Sequence, residues 1–456
     1  MPTRRDIRQS TRPEVKGSAA ERAAAVERLR TGQRLATQNR WSKKDSVYEA
    51  QLNDLESWLR GRGITEVDCI APDMAGIARG KILPAEKFIK STNDRALRLP
   101  EAIFIQTVTG DYPEEESVTA AANIDVYMSP DPETVRVVPW YSEPTAAVVM
   151  DCYYKDGQAV DIAPRQVLRQ VLALFEEKKW RPIVAPELEF FLTAVNEDPD
   201  YPLEPPIGRS GRPESGRQSY GVDAVNEFDP VFEDIYDYCD DQDIDIDTLT
   251  HEAGAAQMEI NFNHGPAMSL ADQAFLFKRT VREAAIRHQI YATFMAKPMQ
   301  TEPGSSMHIH QSGNDSRLFH AFIGGLQRYM PAAMPLFAPY VNSYRRLIRG
   351  SDAPINLHWG RDNRTVGFRV PESDRSSRRV ENRVAGADCN PYIAMAATLA
   401  CGYLGMIEDL EPTKPVEGSA HRLAHKLPRH VGEALDKLSA SRPLRAVLGN
   451  RFVDAL

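Results

Sequence analysis

The sequence predicts an α+β protein with two unequal domains: a small one rich in β-strands, then a larger one mixing strands with amphipathic helices. Three observations carry that prediction. The chain has 456 residues, more than one ordinary core organises, so two domains or one large one are expected. Its texture changes near Ala163-Pro164, from short strand-like runs broken by Pro and Gly to longer helical periodicity. Several later strands alternate in such a way that one face is charged rather than merely polar.

Composition removes whole classes of function. Hydrophobic residues make up 42% and charged residues 26%, which is ordinary globular usage. A formal net charge of -9 argues against gripping nucleic acid or an anionic membrane through bulk charge. No apolar run approaches the roughly 20 residues of a membrane span, and the N-terminus lacks the apolar core of a signal peptide. Cys69, Cys152, Cys239, Cys389 and Cys401 are scattered and form no CxxC. That suits a reducing compartment and argues against a disulfide framework or a thiolate zinc site. A cytoplasmic protein is expected.

Taken in order, residues 1–46 are poor in large apolar side chains and read as a flexible basic extension. Residues 47–157 read as a small β-rich domain. A helix is expected over Tyr48–Arg60, with strands at Glu66–Ile70, Ala102–Val108, Thr134–Pro139 and Ala146–Tyr154. Residues 158–456 form the large domain. Pro164 suits a first helical position, and Val167, Leu168, Val171, Leu172 and Phe175 follow at helical spacing. Asn196–Ser219, crowded with Pro, Gly and charge, is a long loop of the kind that more often serves function.

Four strands carry the chemistry. Glu187 and Glu189 share a face in Val184–Leu192. Gln257, Glu259, Asn261 and Asn263 share one in Ala256–Asn263. His308, His310 and Ser312 do so in Ser306–Ser312, and Arg379, Glu381 and Arg383 in Arg378–Val384. One such row would suit a solvated sheet face. Four of them, with His and acid recurring and without Lys or Thr, point elsewhere. Carboxylates packed this closely repel and raise each other's pKa, so they stay ionised together only around a cation. Oxygen ligands with a single imidazole favour Mg²⁺ or Mn²⁺ over zinc.

Arginines supply a second signal. Arg345, Arg346, Arg349, Arg361, Arg364, Arg369, Arg375, Arg378, Arg379 and Arg383 crowd into one stretch. Guanidinium forks match phosphate and carboxylate, and arginines beside a carboxylate–metal site suit phosphoryl transfer. Neither GxxxxGK[ST] nor GxGxxG is present, so neither a P-loop nor a Rossmann turn would hold a nucleotide. The competing expectation is a basic patch that pairs with the acidic stretch Glu233–Asp247.

Ordered motifs then resemble the glutamine synthetase family. Pro186-Glu187-Leu188-Glu189-Phe190-Phe191 resembles its ExE strand, and His251-Glu252 with Gln257-Met258-Glu259 its HE…QxE element. Gly304-Ser305-Ser306-Met307-His308-Ile309-His310 resembles its GSGMHxH segment. Asn342-Ser343-Tyr344-Arg345-Arg346-Leu347, Asp352-Ala353-Pro354, Arg361-Asp362-Asn363-Arg364, Arg379-Val380-Glu381-Asn382-Arg383 and Asn390-Pro391-Tyr392 resemble its downstream motifs.

The resemblance implies a β-grasp N-terminal domain and a catalytic α/β barrel. It implies two or more Mg²⁺ (or Mn²⁺) ions per site: one held by Glu189, Glu252 and Glu259, the other by Glu187, His308 and Glu381. His310, Arg369 and Arg379 would contact ATP. Arg346 and Arg383 would clamp glutamate beside the Gly304 backbone. Arg364 would stabilise the transferring phosphoryl group, and Asp352 would stand in the closing loop. The implied reaction forms γ-glutamyl phosphate from glutamate and ATP, which an amine then converts to an amide. The implied assembly is a ring, a hexamer or double hexamer, with sites between subunits. No nucleic acid or membrane partner is implied.

Departures sharpen the expectation. Val108-Thr109-Gly110-Asp111-Tyr112 stands where ammonia users carry DGSS, Asp352 where they usually carry Glu, and Pro303 where an Asn precedes the glycine. These resemble the branch that makes γ-glutamyl-polyamines and γ-glutamyl-amines. The adenylylation segment is absent, and the chain stops about one helix before many relatives end, so a single ring is expected. Three rivals remain: an ammonia-using glutamine synthetase, an inactive relative that keeps the fold as scaffold, and a two-metal phosphohydrolase.

Overall fold

A computed structural model of the chain describes residues 46–112, 123–198 and 200–456. The expected basic extension lies outside the described residues up to residue 45.

The small domain is built on strands β1 (Glu66–Pro72), β2 (Ala78–Pro84), β3 (Arg98–Pro100), β4 (Asp125–Pro130), β5 (Arg136–Val137) and β6 (Thr145–Tyr153). Their order is β2-β1-β6-β4-β3, with β5 beside β6. β1 runs parallel to β6, and the other pairs are antiparallel. The Ser46–Gly61 and Ala85–Asn93 helices contribute Leu55, Leu59 and Phe88 to its core, against Val67, Cys69, Val148 and Met150.

Two expected strands come out differently. Glu101–Ile105 is a 3-10 helix, not part of a strand over Ala102–Val108. Pro100, which has no N–H to donate, precedes it, and the Ala102 amide turns aside to the Asn123 side chain at 3.1 Å. Thr134–Pro139 shrinks to Arg136–Val137, because Pro132–Thr134 forms a 3-10 turn capped by Asp131. Four elements lie outside the sequence expectation: β2, β3, β4 and the Ala85–Asn93 helix.

The large domain holds a second sheet of β7 (Ile183–Thr193), β8 (Ile246–His251), β9 (Gln257–Phe262), β10 (Gly265–Pro266), β11 (Tyr291–Thr293), β12 (Met307–Ser312), β13 (Trp359–Arg361), β14 (Phe368–Val370) and β15 (Arg379–Asn382). Its order is β13-β14-β15-β12-β7-β9-β8, with β10 and β11 also pairing with β7. Leu188, Phe190, Met258, Ile260, Met307, Ile309 and Val380 point into one core with the Pro164–Glu177, Ala267–Arg287, Ser316–Ala333 and Pro391–Glu408 helices. Alternation sends the opposite, ionic face away from that core.

Pro391–Glu408 is capped by Asn390, whose side chain accepts from the Tyr392 amide at 2.9 Å. The helix is apolar almost all round and buried almost throughout, as a central helix must be. It crosses Ser316–Ala333 so closely that a Cβ on Gly405 would stand 2.2 Å from the Ala321 carbonyl oxygen. None of the described helices is long and apolar enough to cross a membrane.

A buried ionic hub ties the domains together. Arg165, on the Pro164–Glu177 helix, donates to Asp151 at 2.7 Å, Asp131 at 2.8 Å and Asp272 at 2.9 Å. Arg169 adds a bond to Asp151 at 2.7 Å, and the Tyr392 hydroxyl donates to Asp272 at 2.6 Å.

Candidate active site

Sheet register assembles the site. His308 lies opposite Glu187, and Glu187 opposite Asn261. Glu189 lies opposite Glu259, His310 opposite Glu381, and Glu381 opposite Arg369. A one-residue slip in any strand would send its ionic row into the core. The charged rows of β7, β9, β12 and β15 therefore form one surface.

Glu187 is its centre. Its carboxylate lies 2.7 Å from His310 Nε2 and 3.3 Å from His308 Nδ1. His308 Nδ1 is also 3.5 Å from Glu381, and its Nε2 is 3.8 Å from Glu189. Glu381 accepts from Arg369 at 3.1 Å and also from Arg383. Glu189 accepts from the Ser306 amide at 2.8 Å, and Gln257 approaches it at 3.5 Å. Arg379 Nε donates to His310 Nδ1 at 3.3 Å.

Ligand atoms converge in two groups, Glu187–Glu259–His308 and Glu187–His310–Glu381, each within 4.8 Å. The sequence expectation grouped Glu189, Glu252 and Glu259 at one ion and Glu187, His308 and Glu381 at the other. Glu187 is common to both converging groups, and His310, expected at ATP, lies beside it. Glu252 belongs to neither group, although its charge acts on both Glu189 and Glu259.

The electrostatics are unbalanced. Burial, with the charges of Glu187, Glu189, Glu252 and Glu381, pushes the Glu259 carboxyl up to about 10. Burial and Glu252 push Glu189 up to about 8, and burial raises Glu252 too. Burial opposes ionisation of Glu187 and Glu381 as well. Hydrogen bonds from His308 and His310 outweigh it at Glu187, and Arg383 outweighs it at Glu381, so both are held low. Burial and Arg383 lower His308. Such a surplus of acid with one or two imidazoles is the donor set for a hard divalent cation, and the residues fit Mg²⁺ or Mn²⁺.

Arg346 is buried, with Nη1 donating to Ser306 Oγ at 3.0 Å and Nη2 to the Val384 carbonyl. Gly304 packs on its stem: a Cβ there would meet Arg346 Cγ at 2.3 Å and the Ala296 carbonyl oxygen at 2.7 Å. The Nε atoms of Arg346, Arg369 and Arg383 are buried without a partner, so three donors await an acceptor. Asp352 and Arg364 are exposed at the rim, where their charges act on Glu252. Thr109 and Asp111 bond to each other at 2.8 Å in an exposed turn of the small domain.

The competing expectation for the arginines fails among the described residues. Arg369 pairs with Glu381 and Asp362, while Asp234 in the acidic stretch pairs with Arg287 and His288. Glu214, Glu302 and Lys278 belong to none of the motifs legible in the sequence. Lys278 is buried and donates to the Ala387 and Cys389 carbonyls at 2.7 and 2.8 Å, holding the turn before Asn390. A lysine on the buried face of an amphipathic helix was its only sequence signal.

Comparison with known proteins follows the same direction. Residues 161–456 match the family described as glutamine synthetase, catalytic domain. The chain is 34% identical over 411 residues to gamma-glutamylputrescine synthetase PuuA of Escherichia coli, covering 85% of each chain. It is 29% identical over 431 residues to glutamate–isopropylamine ligase of a Pseudomonas species, covering 89% of this chain and 92% of that one. It is 30% identical over 414 residues to glutamine synthetase of Pyrococcus horikoshii, covering 86% and 88%. A solved structure titled apo GmaS without ligand superposes with a TM-score of 0.75 at 26% identity, covering 88% of this chain and 94% of that one.

Proposed function

The chain belongs to the glutamine synthetase family, and on that footing we propose that it is an ATP-dependent ligase. It joins the γ-carboxylate of glutamate to an organic amine, such as a polyamine or alkylamine, in place of ammonia. One observation carries the reading. One site combines a buried carboxylate surplus on the sheet, which pushes Glu259 up to about 10, with three arginines whose buried Nε atoms lack acceptors: Arg369 and Arg383 on the sheet side and Arg346 from the Val341–Arg346 helix. The first needs cations and the second needs anions, which ATP, glutamate and divalent metal supply together.

In this reading Glu189, Glu252 and Glu259 would hold one ion and Glu187, His308 and Glu381 the other, the Glu187–Glu259–His308 and Glu187–His310–Glu381 groups being those whose ligand atoms already converge. Bound there, such ions would supply positive charge to polarise phosphoryl and carboxylate oxygens. Arg369, Arg379 and His310 hold the ATP phosphates. Arg346 and Arg383 fix the glutamate carboxylates beside Gly304, so the γ-carboxylate meets the terminal phosphate in line. Arg364 reaches the transferring phosphoryl group from the rim. The γ-carboxylate displaces ADP and forms γ-glutamyl phosphate. The amine then attacks the acyl carbon and phosphate leaves. Asp352, whose charge acts on Glu252, takes the proton that the amine gives up. Asp is a methylene shorter than Glu, which leaves room for a carbon substituent on that amine.

The same reading makes residues 47–157 a β-grasp domain and 158–456 a catalytic α/β barrel. It also makes the working unit a ring with sites between subunits, and the location cytoplasmic. Five unpaired, buried cysteines agree with a reducing compartment. The likeness to an archaeal glutamine synthetase favours ammonia as the second reading. The test is phosphate release from ATP with Mg²⁺, glutamate and a panel of putrescine, isopropylamine, ethanolamine, methylamine and ammonium. Organic amines are expected to drive turnover. Rapid release with ammonium and none with the others overturns the amine assignment.

A further inference from the structure

The long loop between β7 and the Val222–Asn226 helix is fastened to the site at two points. Around Glu214 its residues are mostly exposed, yet the Glu214 side chain keeps only 6% of its surface. One Glu214 oxygen accepts from the Ala256 amide at 2.6 Å and lies 3.1 Å from His251 Nε2. The other ring nitrogen of His251 lies 2.7 Å from the Glu252 carbonyl oxygen. Three residues on, Arg217 donates to the Thr301 carbonyl at 3.0 Å.

These contacts converge on one turn. Glu252 and Gln257 close it through a backbone bond of 2.8 Å. Ala256 within it has φ of +55°, a conformation that a side chain bearing Cβ disfavours. Such a turn persists only when its surroundings hold it. Two carboxylates do so from different loops: Glu302 accepts from the Ala255 amide at 3.1 Å, and Glu214 from the next amide. Only Glu214 also reaches His251, the residue before Glu252.

We propose that Glu214 is a positioning residue, which sets the turn that presents Glu252 and thereby tunes divalent-ion affinity on the Glu252 side of the site. The proposal rests on Glu252 being a metal ligand. Groups that orient a ligand from behind change metal affinity by roughly 10–100-fold when removed. Glu214 acts on Glu252 through His251 and the Ala256 amide and needs no contact with substrate.

The test is Mn²⁺ titration of the full-length protein without nucleotide, by calorimetry and electron paramagnetic resonance. Glu214→Ala is expected to weaken one ion about 10–100-fold and leave the other unchanged. Glu214→Gln keeps an oxygen for both contacts and is expected to restore affinity to within about threefold. In turnover at saturating Mn²⁺, kcat should fall for Glu214→Ala while KM for ATP holds. Wild-type affinity for both ions in Glu214→Ala overturns the proposal. If that variant does not fold, Glu214→Asp, too short to span both contacts, carries the same reading. Glu252→Ala separates the two levels. Loss of one ion there with none in Glu214→Ala defeats only the positioning role. Full binding of both ions in Glu252→Ala defeats the ligand assignment and this proposal with it.

Discussion

The Arg165 hub and the ionic face of the large sheet both bury charge, but only the hub balances it. Burial opposes the charge on Arg165, yet Asp151, Asp272 and Asp131 outweigh it and hold the guanidinium well above its ordinary value. Its Nε and both of its terminal nitrogens have a carboxylate partner. On the sheet, Glu189 and Glu259 are pushed up to about 8 and about 10 by burial and by one another's neighbours. A complete set of partners marks a joint. Charges that lack partners mark a place where ligands complete the set.

Exchanging the two behaviours by mutation should break the comparison if it is wrong. The largest effect is expected at Glu189. Glu189→Ala should lower amine-dependent phosphate release by on the order of 10³-fold. Its metal-free thermal stability should hold or rise, because a repelling carboxylate is gone. Near-normal turnover would remove Glu189 from the site. Arg165→Ala should do the reverse. It should cost roughly 3–5 kcal/mol of stability in denaturant titration, since Asp272 loses its guanidinium partner and Asp131 and Asp151 are left to share Arg169. Amine and ATP KM of the folded fraction should stay put. An intact midpoint would show that the hub is not a joint.

A pH series sharpens the contrast. Burial and neighbouring carboxylates push Glu189 up to about 8 and Glu259 up to about 10 in the metal-free fold, above their unfolded values, so the folded chain holds extra protons between the unfolded and folded values. Metal-free stability should therefore fall as pH rises from about 7 to 9. Glu187 and Glu381, held low, are ionised in both states there and add no slope. Metal binding must release the same protons, so Mn²⁺ affinity should rise on the order of tenfold or more per pH unit. Calorimetry in buffers of different ionisation heat would count them, and a proton count of zero would contradict the imbalance. The smallest effect is at the rim: Asp352→Glu should shift kcat/KM from bulky towards small amines by about tenfold, the scale of one methylene. An unchanged amine ranking would clear Asp352 of selecting the substrate.

What was legible in the sequence follows from range. Alternation is local, so the ionic faces of β7, β9, β12 and β15 could be read from single strands, and the Pro164 helix start from one residue. Register is not local. That Glu187 would stand between both histidines needed the β7–β12 pairing. The strand expected at Ala102–Val108 failed because Pro100 and Asn123, one of them distant in sequence, redirected a run of apolar residues into a 3-10 turn. The hub was invisible, since Asp131, Asp151 and Asp272 each look like a solvated acid until the fold joins them. Glu214 was hidden in the same way inside a loop flagged only for its length.

The Pro391–Glu408 helix has a consequence for how the chain is made. Three of its neighbours in the core, the Pro164–Glu177, Ala267–Arg287 and Ser316–Ala333 helices, precede it, and the short Arg442–Leu448 helix follows it. During synthesis this helix, the most apolar of the described ones, thus leaves the ribosome after most of the surfaces that will cover it, at a pace of residues per second. A circular permutant opened between Asn382 and Asn390 would translate that helix first and leave it bare. Such a permutant should aggregate on expression more than the natural order does.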